Sequence, residues 1–307
     1  MTTTPNTNRQ QQSSSTSRIV KCWIEAMRLR TLPVSVAGVI MATFLTVSND
    51  VFQWLPTTIC LIFAILAQIA SNFANEYFDF RDGLDRKGRV GPRRGVTEGD
   101  ISPTAMRNAA LGTLAIDAIA GCTLIYWGGW WLIIAGVLII LGALAYSAGP
   151  YPLSRHGLGE VAVVIFFGVA PVTLTYYLQA LTIPTHVLLG SIATGLMGAN
   201  VLIVNNYRDC EDDTAVNKRT LAVIFGKTFA SSLYLANGII AILLMIPILN
   251  ACTPCIVITA IYLVVHTILW HKLRTLPRAA LNPLLGKTSV AMFGVALLLL
   301  LTAIILT

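Results

Sequence analysis

The sequence predicts an all-α integral membrane protein, a bundle of about nine transmembrane helices whose polar chemistry gathers on the cytoplasmic face. Three observations carry this. Hydrophobic residues make up 55% of the 307 positions and charged residues 11%, too little polar surface to clothe a soluble globule. Apolar runs of bilayer-spanning length recur along the chain. All 21 Lys and Arg residues lie in the tail or in alternate loops, on one side of the predicted membrane.

In chain order, residues 1–18 are rich in Thr, Gln, Ser and Asn, with two arginines and almost nothing apolar. Such a stretch cannot repay the entropy of ordering and is expected to be a disordered cytoplasmic tail. It lacks the charged start, short apolar run and cleavage site of a removable signal peptide. Residues 20–30 are amphipathic through Trp23, Ile24 and Met27 and suit the membrane interface. The spans follow at 32–48, 55–75, 108–126, 130–147, 158–179, 187–205, 229–249, 253–271 and 288–306, within one domain over 19–307.

Five basic residues precede the first span; seven, one, four and four fall in the alternate loops after spans two, four, six and eight. The loops around residues 50, 128, 182 and 251 hold none. Basic charge stays inside, so the N-terminus is predicted cytoplasmic and the C-terminus external. The net charge of +7 therefore reports topology and excludes a nucleic-acid role. Cys252 and Cys255 form a lone CxxC at the external side, without the second pair or clustered histidines that a zinc site needs.

Two cytoplasmic stretches, 76–107 and 206–228, hold most of the acid. Glu76, Asp79, Asp82 and Asp85 form one cluster, and Asp209, Glu211, Asp212 and Asp213 the other. Each follows an even-numbered span and shares a pattern, Asn75-x-x-x-Asp79 and Asn205-x-x-x-Asp209, which suggests a four-helix parallel repeat. If the preceding spans continue as helices, Asn72, Asn75, Glu76 and Asp79 share one face, as do Asn205, Asp209 and Asp213. Amide and carboxylate oxygens without His or Cys are hard ligands suited to Mg2+, and a diphosphate would complete the coordination. The same stretches supply Arg93, Arg94, Lys218 and Arg219, with Arg28 and Arg30 before span one, to meet phosphate oxygens.

A secondary transporter also has repeats and acidic residues, but it places them within broken helices at mid-membrane rather than at one surface. Asp117, in the middle of span three, is costly there unless paired or facing a cavity, and pairing is the expectation. His156, His186, His266 and His271 lack ligand-like spacing and read as structural.

Four stretches resemble the UbiA-type intramembrane prenyltransferases, and within them the 1,4-dihydroxy-2-naphthoate branch. They are Arg28-Leu-Arg-Thr-Leu-Pro33, where Leu29 departs from the family's usual proline, and Asn72 through Asp85 followed by Gly91-Pro-Arg-Arg94. Tyr146-Ser-Ala-Gly-Pro-Tyr-Pro-Leu153 with Gly157-Leu-Gly-Glu160 is similar to the loop that distinguishes the naphthoate branch. Asn205-Asn-Tyr-Arg-Asp209, Asp213 and Lys218-Arg-Thr-Leu221 look like the second Asp-rich motif. Glu76 stands where the family usually has Asp.

The resemblance implies a nine-helix bundle around a cavity open to lipid, with both Asp-rich loops capping its cytoplasmic mouth. It implies Mg2+-dependent transfer from a polyprenyl diphosphate to 1,4-dihydroxy-2-naphthoate, with loss of diphosphate and CO2, in a bacterial inner membrane. Phytyl or geranylgeranyl transfer to another aromatic acceptor is the alternative. The roles expected are metal and diphosphate contact for Asn75, Asp79, Asn205, Asp209 and Asp213, with Asp85 in support. Asp79, Asp209 and Asp213 are the catalytic acids; Arg94, Lys218, Arg219 and Arg28 bind diphosphate. Tyr146 and Tyr207 orient the acceptor or screen the carbocation.

Overall fold

A computed structural model describes residues 18–87, 92–249 and 252–307. The tail expected over 1–18 lies outside them except for Arg18, which begins a helix, and so does Gly91 of the Gly-Pro-Arg-Arg stretch. Helix α1 spans 18–27 and is followed by α2 (Leu32–Ser48), α3 (Trp54–Arg81), α4 (Pro103–Thr123) and α5 (Leu132–Ser147). Then come α6 (Gly159–Ala180, with a π-helical turn over Val164–Val169), α7 (Thr185–Ala215), α8 (Leu221–Met245), α9 (Thr253–Thr275) and α10 (Leu281–Leu306).

Among the described residues eight helices are long and apolar enough to cross a membrane, and α5 is a shorter apolar helix of 16 residues. At 1.5 Å per residue α5 reaches only about 24 Å, less than the roughly 30 Å hydrocarbon core. The 28 residues of α3 and 31 of α7 run well past it. Those overhangs carry the acids: Glu76 and Asp79 are helical residues, as are Asp209 and Asp213, and the loops expected over 76–107 and 206–228 are correspondingly shorter.

The bundle is built around α7. Its apolar window is 72% buried, against 17% for the span begun by α4, so α7 is the central post and α4 a lipid-facing wall. α7 packs against α8, α10 and the π turn of α6, while α2 packs against α10 and α6, and α3 against α4. Small residues set the closest crossing: a Cβ at Gly168 would lie 2.3 Å from Gly195 Cα, so the two backbones touch directly. Interhelical hydrogen bonds tie α7 to α8 through Asn200 and Asn237 (3.1 Å), and α8 to α10 through Tyr234 and Thr288 (3.2 Å).

A second apolar cluster joins Cys22 and Ala26 of α1 to Phe73, Val96, Ile101 and Met106, fixing the amphipathic entry helix to the acidic end of α3. His266 stacks on Tyr234 at 4.7 Å between rings, a packing role. Cys252 Sγ caps α9 by accepting from the Cys255 amide at 3.4 Å.

Candidate active site

One cavity of about 820 Å³ lies inside the bundle. Its mouth is lined by Asn75 and Asp79 from α3, Asn205, Asn206 and Arg208 from α7, and by Arg28, Arg94, Lys218 and Asn282. The two halves of the expected repeat thus meet across a shared space. Deeper walls are apolar, with Phe63, Ile139, Ile140, Phe166, Phe167 and Leu174.

On the α3 side, Asp79 is 4% exposed and has Arg94 Nη2 at 3.9 Å and Arg155 Nη2 at 4.0 Å. Asn75 Oδ1 accepts from Arg28 Nη2 at 2.7 Å, and its amide donates to Ser147 Oγ at 3.3 Å. Arg28 reaches there from a left-handed backbone (φ 50°), an uncommon conformation for a non-glycine residue and a mark of local constraint.

Glu76 turns away from the cavity. Its Oε1 accepts from the Val96 amide at 3.1 Å, so the longer carboxylate anchors the 92–98 segment. Asp85 lies 3.3 Å from Arg94 Nε and holds that guanidinium toward the cavity. Outside the span, Asp82 is held below the usual carboxylate range by hydrogen bonds from Arg81 and then Arg155, which outweigh partial burial.

On the α7 side the organising group is Arg208, 1% exposed. It donates from Nε and Nη2 to both oxygens of Asp209, each at 2.7 Å, and also to Asn205 Oδ1 at 2.7 Å and Asn282 Oδ1 at 2.8 Å. Arg278 Nε in turn donates to the Arg208 carbonyl at 2.7 Å and pairs with Asp212. Asp213 lies 3.5 Å from Lys218 Nζ. Glu211 is 2.6 Å from Lys227, on the outer face of the helix.

The nominated residues therefore divide. Asn75, Asp79, Asn205, Arg28, Arg94, Lys218 and Tyr146 line the cavity. Asp85, Asp209 and Asp213 do not line it, and act on its cations from behind. Arg219 is exposed, and its backbone amide donates to the Arg155 carbonyl at 3.1 Å. The Tyr207 ring sits 5.2 Å from Lys227 Nζ and is likewise not a lining residue. Asp117 corrects the pairing expected of it: it is 2% exposed, lines the cavity, and its Oδ1 has no hydrogen-bond partner.

Sequence reasoning gave no role to Arg155, Arg208 or Glu160. Arg155 is the only basic residue of its loop, and Arg208 lies inside the Asn205–Asp209 motif. Those two placements were the available signals.

Among the described residues no three His, Cys, Asp or Glu side chains cluster as a ready-made metal site. The oxygens present are nevertheless hard amide and carboxylate donors at the mouth of one cavity, and guanidinium groups already compensate them. That donor set fits a Mg2+ ion arriving with a diphosphate, since Mg2+ is commonly shared between one or two carboxylates and substrate phosphates.

The UbiA prenyltransferase family model matches residues 35–285. The chain is 35% identical to the 1,4-dihydroxy-2-naphthoate octaprenyltransferase of Haemophilus influenzae, over 67% of this chain and 70% of that protein. It is 37% identical to the enzyme of that name from Escherichia coli (68% and 70% covered), and 28% to the 2-carboxy-1,4-naphthoquinone phytyltransferase of Synechocystis (71% and 73%). A UbiA homolog from Archaeoglobus fulgidus bound to DMAPP and Mg2+ superimposes with TM-score 0.60 at 16% identity, covering 89% of this chain and 98% of that one. The apo homolog from Aeropyrum pernix K1 gives 0.65 at 16% identity, with 89% and 97% covered. These two likenesses establish the fold.

Proposed function

The chain belongs to the UbiA prenyltransferase family, and from that premise we propose that it transfers a polyprenyl group from polyprenyl diphosphate to 1,4-dihydroxy-2-naphthoate, releasing diphosphate and CO2. The product is demethylmenaquinone. The observation that carries this is one cavity whose mouth joins Asn75 and Asp79 to Asn205 and Arg208 above apolar walls. A charged head and a hydrocarbon tail require that division.

Asn75, Asp79 and Asn205 would hold Mg2+ with the diphosphate, and Asp85, Asp209 and Asp213 keep Arg94, Arg208 and Lys218 in place. When bound, Mg2+ neutralises the charge that develops on the departing diphosphate. Arg28, Arg94, Arg208 and Lys218 add charge-assisted hydrogen bonds to the same oxygens, fixed before reaction begins and so most effective at the transition state. As the allylic C–O bond breaks, the electron-rich naphthoate ring captures the cation. Tyr146 presents its ring beside that cation, and Phe166 and Phe167 keep water from quenching it. We place the protein in a bacterial inner membrane with the N-terminus and both acidic clusters on the cytoplasmic side.

The test is to incubate membranes containing the protein with labelled polyprenyl diphosphate, 1,4-dihydroxy-2-naphthoate and Mg2+, and to extract prenylated naphthoquinone. Product is expected, and it is lost with EDTA and in Asp209→Ala. Prenylation of 4-hydroxybenzoate but not of the naphthoate would move the protein to another acceptor within the family.

A further inference from the structure

Glu160 is a cavity carboxylate that the diphosphate machinery does not use. It sits one residue into α6, is 6% exposed, and lines the mouth. Glu76, Asp79, Asp82, Asp85, Asp209 and Asp213 each lie within 4.0 Å of an Arg or Lys nitrogen. Among the described residues Glu160 has no such ion pair; a single side-chain hydrogen bond reaches it, from Asn206 Nδ2 to Oε1 at 2.9 Å.

Its placement is specific. Ser147, the last residue of α5, accepts from Asn75, and the preceding Tyr146 carries its hydroxyl 3.8 Å from where a Cβ at Gly159 would stand. Tyr146 and Ser147 therefore link the start of α6, where Glu160 sits, to the Asn75 side of the mouth. A planar aromatic acceptor lying against Tyr146 would offer a face to the allylic carbon of the donor and its hydroxyl edge to this carboxylate.

We propose that Glu160 is the base that takes the hydroxyl proton of the aromatic acceptor and later returns it, an assignment that rests on the prenyl-transfer reading above. The acceptor O–H bond breaks, its proton passes to the Glu160 carboxylate, and its electron pair forms a ring carbonyl. The displaced ring electrons form the new C–C bond at the carbon bearing the carboxylate. The donor C–O bond breaks, and its pair leaves with diphosphate. The ring is now a β-keto acid, which loses CO2 and retains the bond pair as an enolate. The enolate oxygen takes its proton back from Glu160, restoring the hydroquinone and the free carboxylate. Asn206 holds Oε1 and leaves Oε2 for the acceptor. A cavity carboxylate with one oxygen tied and the other directed to the acceptor hydroxyl has the geometry that a general base needs.

Glu160→Gln keeps an oxygen for Asn206 and removes the base. Naphthoate prenylation is expected to fall by about 100-fold or more. Slow diphosphate release from the donor alone, and the KM for donor, stay at wild-type values. The deficit is expected to shrink along a series of ring-fluorinated acceptors of increasing hydroxyl acidity. Asn206→Leu, which removes the hydrogen bond that orients Glu160 but keeps the base itself, should cost far less. A deficit that stays constant across the acceptor series, wild-type turnover in Glu160→Gln, or equal losses in both variants would overturn the assignment and leave prenyl transfer standing. Absence of prenylated product from the wild-type protein with every acceptor would instead remove the reading beneath it.

Discussion

At the scale of single residues, the site depends on arginines that bind in two directions at once. Arg208 spans both oxygens of Asp209 while reaching Asn205 and Asn282, a planar fork that a point-charge ammonium cannot reproduce. Arg208→Lys is expected to lower kcat/KM for the donor on the order of 100-fold with the helical content unchanged, because one buried partner loses its hydrogen bonds. Steady-state kinetics beside far-ultraviolet circular dichroism would check it; activity within threefold of wild type would show the fork to be dispensable. Asp82 gives a pH prediction. Its carboxyl is held below its ordinary value of 3.8, so the pairing with Arg81 and Arg155 contributes stability above that value and loses it as pH falls through the depressed one. Thermal unfolding in detergent should thus show the Asp82→Asn deficit constant from pH 6 to 8, starting to shrink below about pH 4 and vanishing only below the depressed value. A deficit that grew on acidification would reverse the sign.

At the scale of helices, apolar run length made the spans readable in the sequence, and charge hid their ends. A hydropathy reading stops where Asn72 and Glu76 appear, yet hydrogen bonding carries α3 on to Arg81 and α7 to Ala215. The i, i+4 spacing of the Asn and Asp residues was the clue that survived, since it has meaning only on a continuing helix. Arg155 and Arg208 were harder, because an arginine's role is set by partners brought near in space, and Asp82 and Asn282 are distant in sequence from them. Packing between α5 and α6 was equally unreadable: a Cβ at Gly142 would fall 1.9 Å from the Phe166 ring, and both residues line the cavity. Gly142→Ala must therefore swing that ring and reshape the hydrocarbon passage. Donors of graded length assayed in parallel should show the preference shift toward shorter chains by roughly tenfold, the scale of one misplaced methylene in an apolar pocket. An unchanged length profile would mean that the tail passes elsewhere. Asp117 lies in the same passage. Gly121 faces Phe63, one turn from the level of Ala67, so Asp117 stands about 18 Å below Asp79 along α3. The structure assigns it to the cavity wall, where the sequence suggested a paired group.

At the scale of the whole molecule, charge placement and helix count predict a topology that suits the proposed chemistry. Among the described residues every Lys and Arg flanks the ends of the bundle that carry Asp79 and Asp209, and the sequence around residues 50, 128, 182 and 251 holds none. Positive loops are retained on the cytoplasmic side, so the acidic mouth should open there, where diphosphate, Mg2+ and a carboxylated acceptor are dissolved. Counting α5 as a crossing, the chain passes the membrane an odd number of times between Leu32 and Leu306, which puts Thr307 on the far side. If α5 instead dipped in and returned, Thr307 would share the side of Arg18. Alkaline phosphatase fused after Thr307 is therefore expected to be active in intact bacteria, whereas the same enzyme inserted at the exposed Gly83 turn is expected to be silent. Active fusions at both positions would place the mouth outside the cell and contradict the charge argument. Silence at both would mean that α5 does not cross, and would contradict a mouth built jointly from Asn75 of α3, Tyr146 of α5 and Glu160 of α6.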